Sequence, residues 1–285
     1  MKSRRVANLQ FMRHLSVAIF VMQAGLATAD DGQISVFTSL VPHAEFVAHI
    51  GGPQVNVVPL VGPGHSPANY QPTPLQMAKL ADAQLYIAAE VPFEAGFLPK
   101  IKASHKNLLL VGGNNPSHGL HDENPHAWLD PLYVAALADS ICDQLSTLAP
   151  NHAAEFAKRR DVFKDRLNQL DSQVAQIMEP YQGREFFVFH PAYGHFAARY
   201  GVVQVAVEDA GHEPGAQHLV KIIEQAQAAK ASVIIVQPQF SQRSAAAVAQ
   251  SCSAEVLVLD PLATDYENNL LHIAQMLANA WEVER

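Results

Sequence analysis

The sequence predicts an α/β protein of two lobes, each with a parallel four-stranded sheet covered by helices, joined by one long backbone helix. Two observations indicate this fold. Short apolar or β-branched runs alternate with longer amphipathic runs along the chain, and near-continuous apolar strands are typical of parallel sheets buried on both faces. The strand candidates also divide four and four around one unusually long helical stretch. We therefore expect two similar lobes flanking that helix.

The predicted N-terminal lobe covers residues 30–150. Its strand candidates are apolar runs, and the segments between them have the spacing of amphipathic helices. We expect strands at residues 34–37, 55–60, 85–88 and 108–111, and helices at residues 42–50, 74–83 and 131–148.

The connecting helix is expected over residues 151–180, and the C-terminal lobe over residues 181–285. In the connecting segment, apolar residues recur at three-to-four-residue spacing between charged and Gln-rich positions, which is the pattern of an amphipathic helix. The second lobe should repeat the first. Its strands are expected at residues 186–189, 203–207, 233–236 and 256–259, and its helices include residues 215–230 and 241–251.

Residues 1–29 have the pattern of a secretory signal peptide. Four basic residues precede an apolar run at residues 15–26, and Ala27-Thr28-Ala29 follows it. A charged start, a short apolar middle and an A-x-A end are the marks of such a peptide, and the run is too short for a permanent membrane helix. No cysteine follows it, so we expect cleavage near Ala29 and an exported protein without a lipid anchor.

Charge and cysteine content exclude several classes of protein. Four of the 19 basic residues precede Ala29 and no acidic residue does, so the remainder has 15 basic and 27 acidic residues, a net charge of −12. Nucleic acids and anionic membranes require basic patches, whereas an acidic protein suits a cation. A cysteine-based zinc site needs more than Cys142 and Cys252, which an exported protein could pair in a disulfide.

Four strand candidates lead into a possible metal ligand. Residues 55–61 lead to His65, 108–111 to His126, 186–189 to His190, and 256–259 to Asp260. Ligand sites in open parallel sheets form beyond the carboxyl ends of the strands. If both lobes turn those ends inward, the four residues meet in one cleft. Three imidazoles and a carboxylate suit a four-coordinate divalent ion such as Zn²⁺.

Each of these residues also has a simpler explanation. His190 follows an apolar run and could be a hydrogen-bonded core residue. Asp260 precedes a proline and could cap a turn. His65, in a Pro/Gly-rich turn, and His126, on a loop between prolines, could be solvated. The shared position after a strand is what favours the metal site.

Several segments of the chain match the motifs of one family. Residues 124–131 read Asn-Pro-His-Ala-Trp-Leu-Asp-Pro, where the family has Asp-Pro-His-x-Trp-x-x-Pro. Residues 189–201, the pair Glu213-Pro214 and residues 259–262 match three further motifs. Nearly the whole exported chain thereby resembles the TroA/ZnuA-type periplasmic metal-binding proteins, the cluster A-I solute-binding proteins of zinc and manganese ABC importers. The resemblance implies two lobes, a backbone helix, and a metal bound between the lobes.

One motif departs from the family pattern. The family's first ligand lies in a segment like Gly-x-Asp-Pro-His-x-Tyr, but here the histidine position is Ala68. His65, three residues earlier, is the candidate replacement; otherwise three protein ligands and water remain. His118 and His121 resemble a reduced form of a His-rich acidic loop that the family often carries there. His195 stands where an aromatic residue is usual.

The resemblance implies a transport function. We expect a monomeric solute-binding protein that captures Zn²⁺ and delivers it to an ABC-transporter permease with its cytoplasmic ATPase; Mn²⁺ or Fe²⁺ is the alternative cargo. A zinc hydrolase with three ligands and a bound water is the enzyme alternative, with Glu208 or Asp209 as candidate bases. No His-Glu-x-x-His motif supports it. An adhesive or regulatory surface protein with a vestigial site is a third possibility.

Overall fold

The computed structural model describes residues 32–112, 124–208, 215–240 and 242–283. The predicted signal peptide, residues 1–29, lies outside these ranges. Within them, no helix is both long enough and apolar enough to cross a membrane.

The first sheet has four parallel strands in the order β2-β1-β3-β4. Strand β1 is central and four of its five residues are buried, among them the apolar Ile34, Val36 and Phe37. The strands are β1 (Ile34–Thr38), β2 (Val55–Pro59), β3 (Leu85–Ile87) and β4 (Leu109–Val111).

The second sheet repeats this arrangement with the strand order β6-β5-β7-β8, again all parallel. Its strands are β5 (Glu185–Val188), β6 (Val203–Ala206), β7 (Val233–Val236) and β8 (Glu255–Val258). The prediction of two parallel four-stranded sheets is therefore confirmed. In both sheets the order reverses between two central strands, β1 and β3 in one, β5 and β7 in the other. A crevice at such a reversal is the usual ligand position in open α/β sheets.

Helices cover the two sheets, and local sequence fixes where several of them begin. Thr73 and Gln76 form a capping box before α2, and Asp130 caps α4 by accepting a hydrogen bond from the amide of Leu132 at 2.9 Å. The helices are α1 (Val41–Gly51), α2 (Pro74–Leu80), α3 (Glu94–Ser104), α4 (Pro131–Leu148), α5 (Ala153–Met178), α6 (Gly194–Tyr200), α7 (Ala216–Ala228), α8 (Gln242–Cys252) and α9 (Tyr266–Val283).

The predicted long helix is present as α5, with 26 residues and a short 3-10 turn at either end. Its apolar face is buried along its whole length, at Phe156, Phe163, Leu167, Leu170, Val174 and Met178. The C-terminal helix α9 packs against it. Helix α9 also reaches the first lobe, where Tyr266 meets Phe46 edge to face with ring centroids 4.9 Å apart.

Two apolar cores result from this packing. The larger one joins the first sheet, α1, α4, α5 and α9, and it extends to part of the second sheet. The smaller one lies between the second sheet and helices α7 and α8. The long helix thus contributes to stability as well as connecting the lobes. The boundaries at residues 150 and 180 stay a prediction.

Helices α3, α6 and α9 are additional to those expected from the sequence. Helix α3 contains Pro99, which argues against a helix when only the sequence is considered. Helix α6 has only 7 residues, too few for a periodic pattern. Helix α9 did carry a usable signal, because Leu270, Ile273, Ala274 and Leu277 are buried at helical spacing.

Candidate metal-binding site

A cavity of about 520 Å³ lies where the two lobes meet. Its wall combines residues from the first lobe with residues that follow strands of the second. Apolar side chains and amides dominate the wall, with two imidazoles among them. The lining residues are Ser66, Pro67, Ala68, Val91, Pro92, Asn124, Pro125, His126, Trp128, His190, Pro191, Ala192, Gln204, Gln237, Gln239, Phe240, Pro261 and Leu262.

His126 is presented by the loop that leads into α4. The side-chain oxygen of Asn124 lies 2.6 Å from its Nδ1 and accepts its backbone N–H at 3.1 Å. Trp128 packs against the imidazole, with ring centroids 5.2 Å apart, and donates its indole N–H to the carbonyl of Pro261 at 2.8 Å. Since Nδ1 is occupied, Nε2 is the nitrogen left to bind a ligand.

The electrostatics keep this imidazole neutral. Burial and, to a smaller extent, the neighbouring His190 and His195 together lower the pKa of His126 to about 3. At neutral pH the ring is therefore uncharged, and a neutral imidazole is the form that binds a metal.

His190 enters the cavity from the other lobe, just beyond the end of β5. Its Nδ1 lies 2.5 Å from a carboxylate oxygen of Glu208. Phe240 stacks on the ring with centroids 4.6 Å apart. Gln237, just beyond β7, donates its amide N–H to the carbonyl of His190 at 2.7 Å. His190 thus occupies the reversal point between β5 and β7.

The two imidazoles face each other across the cleft. The Nε2 atoms of His126 and His190 are 3.3 Å apart, and the ring planes are inclined at 71°. Each ring has its Nδ1 held by a side chain of its own lobe. The predicted convergence of the two lobes is observed for these two residues.

Asp260 lies at the edge of this arrangement. It follows β8, and its Oδ1 accepts hydrogen bonds from the amide of Leu262 and the side chain of Gln239, both at 2.9 Å. These contacts are those of a turn-capping carboxylate. Pro261 and Leu262 line the cavity, whereas Asp260 itself is not among the lining residues.

His65 lies on an exposed loop outside the cavity. Its Nδ1 is 3.2 Å from the carbonyl of Pro63, and its ring meets Tyr70 edge to face with centroids 6.1 Å apart. The cavity wall on this side consists of Ser66, Pro67 and Ala68 instead. In the described part of the chain, no group of three or more His, Cys, Asp or Glu side chains is arranged so that it could hold a metal ion. The structure therefore brings His126 and His190 together and leaves His65 and Asp260 apart from them.

Comparison with known proteins identifies the family. The family model described as "Zinc-uptake complex component A periplasmic" matches residues 36–280, which is most of the chain. The chain belongs to this family.

The family relatives include a solved structure of similar size. A crystal structure of ZnuA superposes with a TM-score of 0.81 at 34% identity, covering 87% of this chain and 99% of that one. The zinc-binding lipoprotein AdcA of Streptococcus pneumoniae is 28% identical over an alignment of 267 residues that covers 86% of this chain and 53% of AdcA. The high-affinity zinc uptake system protein ZnuA of Brucella abortus is 30% identical over an alignment of 159 residues that covers 54% of this chain and 47% of that protein. The chain thus spans about half the length of the curated relative AdcA.

Glu208 is the site residue whose role the sequence did not reveal. Its side chain is buried, and its amide donates to the carbonyl of Phe189 at 3.0 Å. Strands β5 and β6 pair Val188 with Ala206. His190 and Glu208 lie two positions after these paired residues, so they come to lie side by side. That register is not visible in the sequence. His195 also contributes to the contact between the lobes. Its Nε2 lies 3.0 Å from the carbonyl oxygen of Asn124 in the other lobe.

Cys142 and Cys252 are buried free thiols on α4 and α8, and burial raises the pKa of both. The acidic loop with His118 and His121, the residue Asp209, and the pair Glu213-Pro214 lie outside the described residues.

Proposed function

We propose that this protein is a solute-binding component of a zinc importer. In this role it captures Zn²⁺ outside the cytoplasm and delivers the ion to an ABC-transporter permease with its cytoplasmic ATPase. The observation that carries the proposal is the pair of imidazole Nε2 atoms, one from each lobe, 3.3 Å apart. Two nitrogens bound to one tetrahedral Zn²⁺ at about 2.0–2.1 Å are separated by roughly 3.3–3.4 Å. Membership of a zinc-uptake family supports transport over the hydrolase alternative.

The proposed ligands are His126 and His190, with Asp260 and His65 completing the set. Asp260 follows β8 beside the cavity wall, and a change in its turn would direct its free oxygen inward. His65 precedes the cavity-lining residues Ser66, Pro67 and Ala68, so a movement of this exposed loop would bring its ring inward. If His65 stays outside, water fills the fourth position.

The donor set favours zinc over the other candidate metals. Imidazole is a good ligand for Zn²⁺, whereas Mn²⁺ prefers oxygen ligands. The relatives AdcA and ZnuA are described as zinc-binding and as a zinc uptake protein. Mn²⁺ or Fe²⁺ becomes more competitive if His65 does not contribute, because the set then loses an imidazole.

Capture between lobes also provides a route for release. Each lobe contributes one of the two facing imidazoles, so separation of the lobes would leave the ion with about half of its ligands. We infer that docking on the permease favours that separation. The protein itself is proposed to act as a monomer.

We infer a periplasmic location from the family and from the N-terminal pattern. The family description places its members in the periplasm, and residues 1–29 have the features of a signal peptide. The relative AdcA is described as a lipoprotein, so the presence of a lipid on this chain has to be tested directly. Mass spectrometry of the exported protein would show whether the chain begins near Asp30 and whether it carries a lipid.

Zinc binding by the purified protein tests the function. We expect about one Zn²⁺ per chain and a zinc-dependent rise in Tm, because a ligand that binds the folded state stabilises it. Chelation should reverse the shift. The proposal fails if neither Zn²⁺ nor any other divalent ion binds.

Single variants test the proposed ligands. His126→Ala, His190→Ala and Asp260→Ala should each weaken Zn²⁺ binding strongly, measured by competition with a chelator of known affinity. His272→Ala, on the exposed face of α9, is the matched control. Unchanged affinity in His65→Ala would indicate that water or another group fills the position of Ala68.

A further inference from the structure

The buried carboxylate of Glu208 has no place in the proposed ligand set, yet it makes a close polar contact with His190 of the cavity wall. Only 8% of its side chain is exposed, and one of its oxygens lies 2.5 Å from Nδ1 of His190. A buried carboxylate is costly unless it is paired or hydrogen-bonded. The role of the Glu208 carboxylate should therefore lie in its contact with His190.

We propose that Glu208 is the positioning residue of the zinc site, orienting the His190 imidazole with Nε2 toward the metal. This inference rests on the proposed function and extends it, because it assigns a role to a residue that does not touch the ion. The geometry excludes direct ligation in the observed arrangement. The carboxylate contacts Nδ1, while the ring nitrogen that faces His126 is Nε2.

The contact determines the tautomer of His190. A neutral imidazole has one N–H, and a carboxylate accepts but does not donate. With Glu208 ionised and accepting at Nδ1, the proton lies on Nδ1 and the lone pair on Nε2. Metal-bound histidines generally donate their other ring N–H to a carboxylate or carbonyl, which also increases the basicity of the ligand.

The surroundings leave the ring little freedom to turn. Phe240 stacks on the imidazole with centroids 4.6 Å apart, and Gln237 holds the backbone of His190 through two hydrogen bonds. Glu208 is fixed in turn, because its amide bonds to the carbonyl of Phe189 in the parallel ladder that extends β5 and β6. The stacking limits tilt of the ring, and Glu208 selects which nitrogen points into the cavity.

Two substitutions separate orientation from charge. Glu208→Ala removes both the acceptor and the charge, and we expect Zn²⁺ affinity to fall by about 10–100-fold. Glu208→Gln keeps an oxygen that can accept from Nδ1, so it should recover a large part of that loss. Glu255→Gln, an exposed carboxylate at the start of β8, is the control and should leave the affinity unchanged.

A spectroscopic measurement on the metal-free protein distinguishes positioning from a general folding role. The ¹⁵N chemical shifts of His190 should report the Nδ1–H tautomer in the wild type and in Glu208→Gln, and a mixture of tautomers in Glu208→Ala. Unchanged tautomer or unchanged affinity in Glu208→Ala would overturn the inference. If His190→Ala abolishes binding while Glu208→Ala does not, the inference fails and the proposed function stands. If His190→Ala also binds normally, the ligand assignment itself is wrong.

Discussion

At the scale of single residues, the two facing imidazoles are held by different acceptors. His126 uses the neutral side chain of Asn124 at 2.6 Å, and His190 uses the carboxylate of Glu208 at 2.5 Å. The family motif places Asp where this chain has Asn124. The charged acceptor therefore lies in the second lobe here, which makes His190 the stronger expected donor to a metal.

Buried histidines should make stability depend on pH. His43 is fully buried between the rings of Phe46 and Trp128, and burial lowers its pKa to about 3. Below pH 6.5 the unfolded chain binds a proton that the folded chain does not. The stabilisation is therefore complete above about pH 6.5 and is lost as pH falls toward 3.

We expect the metal-free wild type to lose about 2 kcal/mol of unfolding free energy through His43 between pH 7 and pH 5. Between the same two pH values, the unfolding free energy of His43→Leu should fall by about 2 kcal/mol less than that of the wild type. Urea unfolding at pH 7 and at pH 5 measures both. His272→Leu, on the exposed face of α9, should behave as the wild type does. An unchanged pH dependence in His43→Leu would show that His43 is not responsible.

At the scale of secondary-structure elements, α5 is the part of the chain on which both lobes depend. Its buried face packs against α1, α4 and α9. Salt bridges from its exposed face add connections, such as Arg166 to Glu267 at the start of α9 and Lys164 to Asp139 of α4. Such exposed pairs contribute little individually, so the apolar face should carry the stability.

Truncation of that face should destabilise the fold without altering the metal site. Phe163 is 2% exposed and contacts Phe46 of α1, so Phe163→Ala should cost about 3–5 kcal/mol of unfolding free energy. The neighbouring Val162 is 53% exposed, and Val162→Ala should have little effect. Urea denaturation measures both. A large loss of zinc affinity in folded Phe163→Ala would contradict the separation of core and site.

At the scale of the whole molecule, the two lobes share one strand order and bring the reversal points of their sheets to a common cleft. In the second lobe, the reversal point carries His190 and Gln237. In the first lobe, the corresponding position between β1 and β3 holds Ser39, which donates a hydrogen bond to the buried carboxylate of Glu94. That carboxylate also accepts hydrogen bonds from the backbone amides of Ala89 and Val91. The first lobe instead supplies its imidazole from the loop before α4.

Zinc binding should therefore reduce the mobility of loops from both lobes. We expect Zn²⁺ to slow amide hydrogen exchange at residues 124–130 and 189–192, and also at residues 62–70 if His65 moves inward to bind. Exchange measured by mass spectrometry with and without Zn²⁺ would show this. Protection confined to the first two segments would indicate a site without His65. His126→Ala should abolish the effect in all of them.

Much of this architecture was accessible from the amino-acid order. Alternating apolar and amphipathic runs predicted eight strands in two sheets and the long helix, because burial patterns are local. The proline-flanked position of His126 and the strand-end position of His190 indicated two site residues. Helix α3 escaped prediction because it contains Pro99, and α6 because it has only 7 residues.

What the sequence determined by itself is therefore the set of elements and the residue types that follow them. Only the tertiary structure decided which of those residues meet. The pairing of Val188 with Ala206 placed Glu208 beside His190, and the packing of the lobes brought two Nε2 atoms to 3.3 Å while leaving His65 on an exposed loop. Strand register and lobe packing depend on contacts between residues distant in the chain, and local patterns do not encode them.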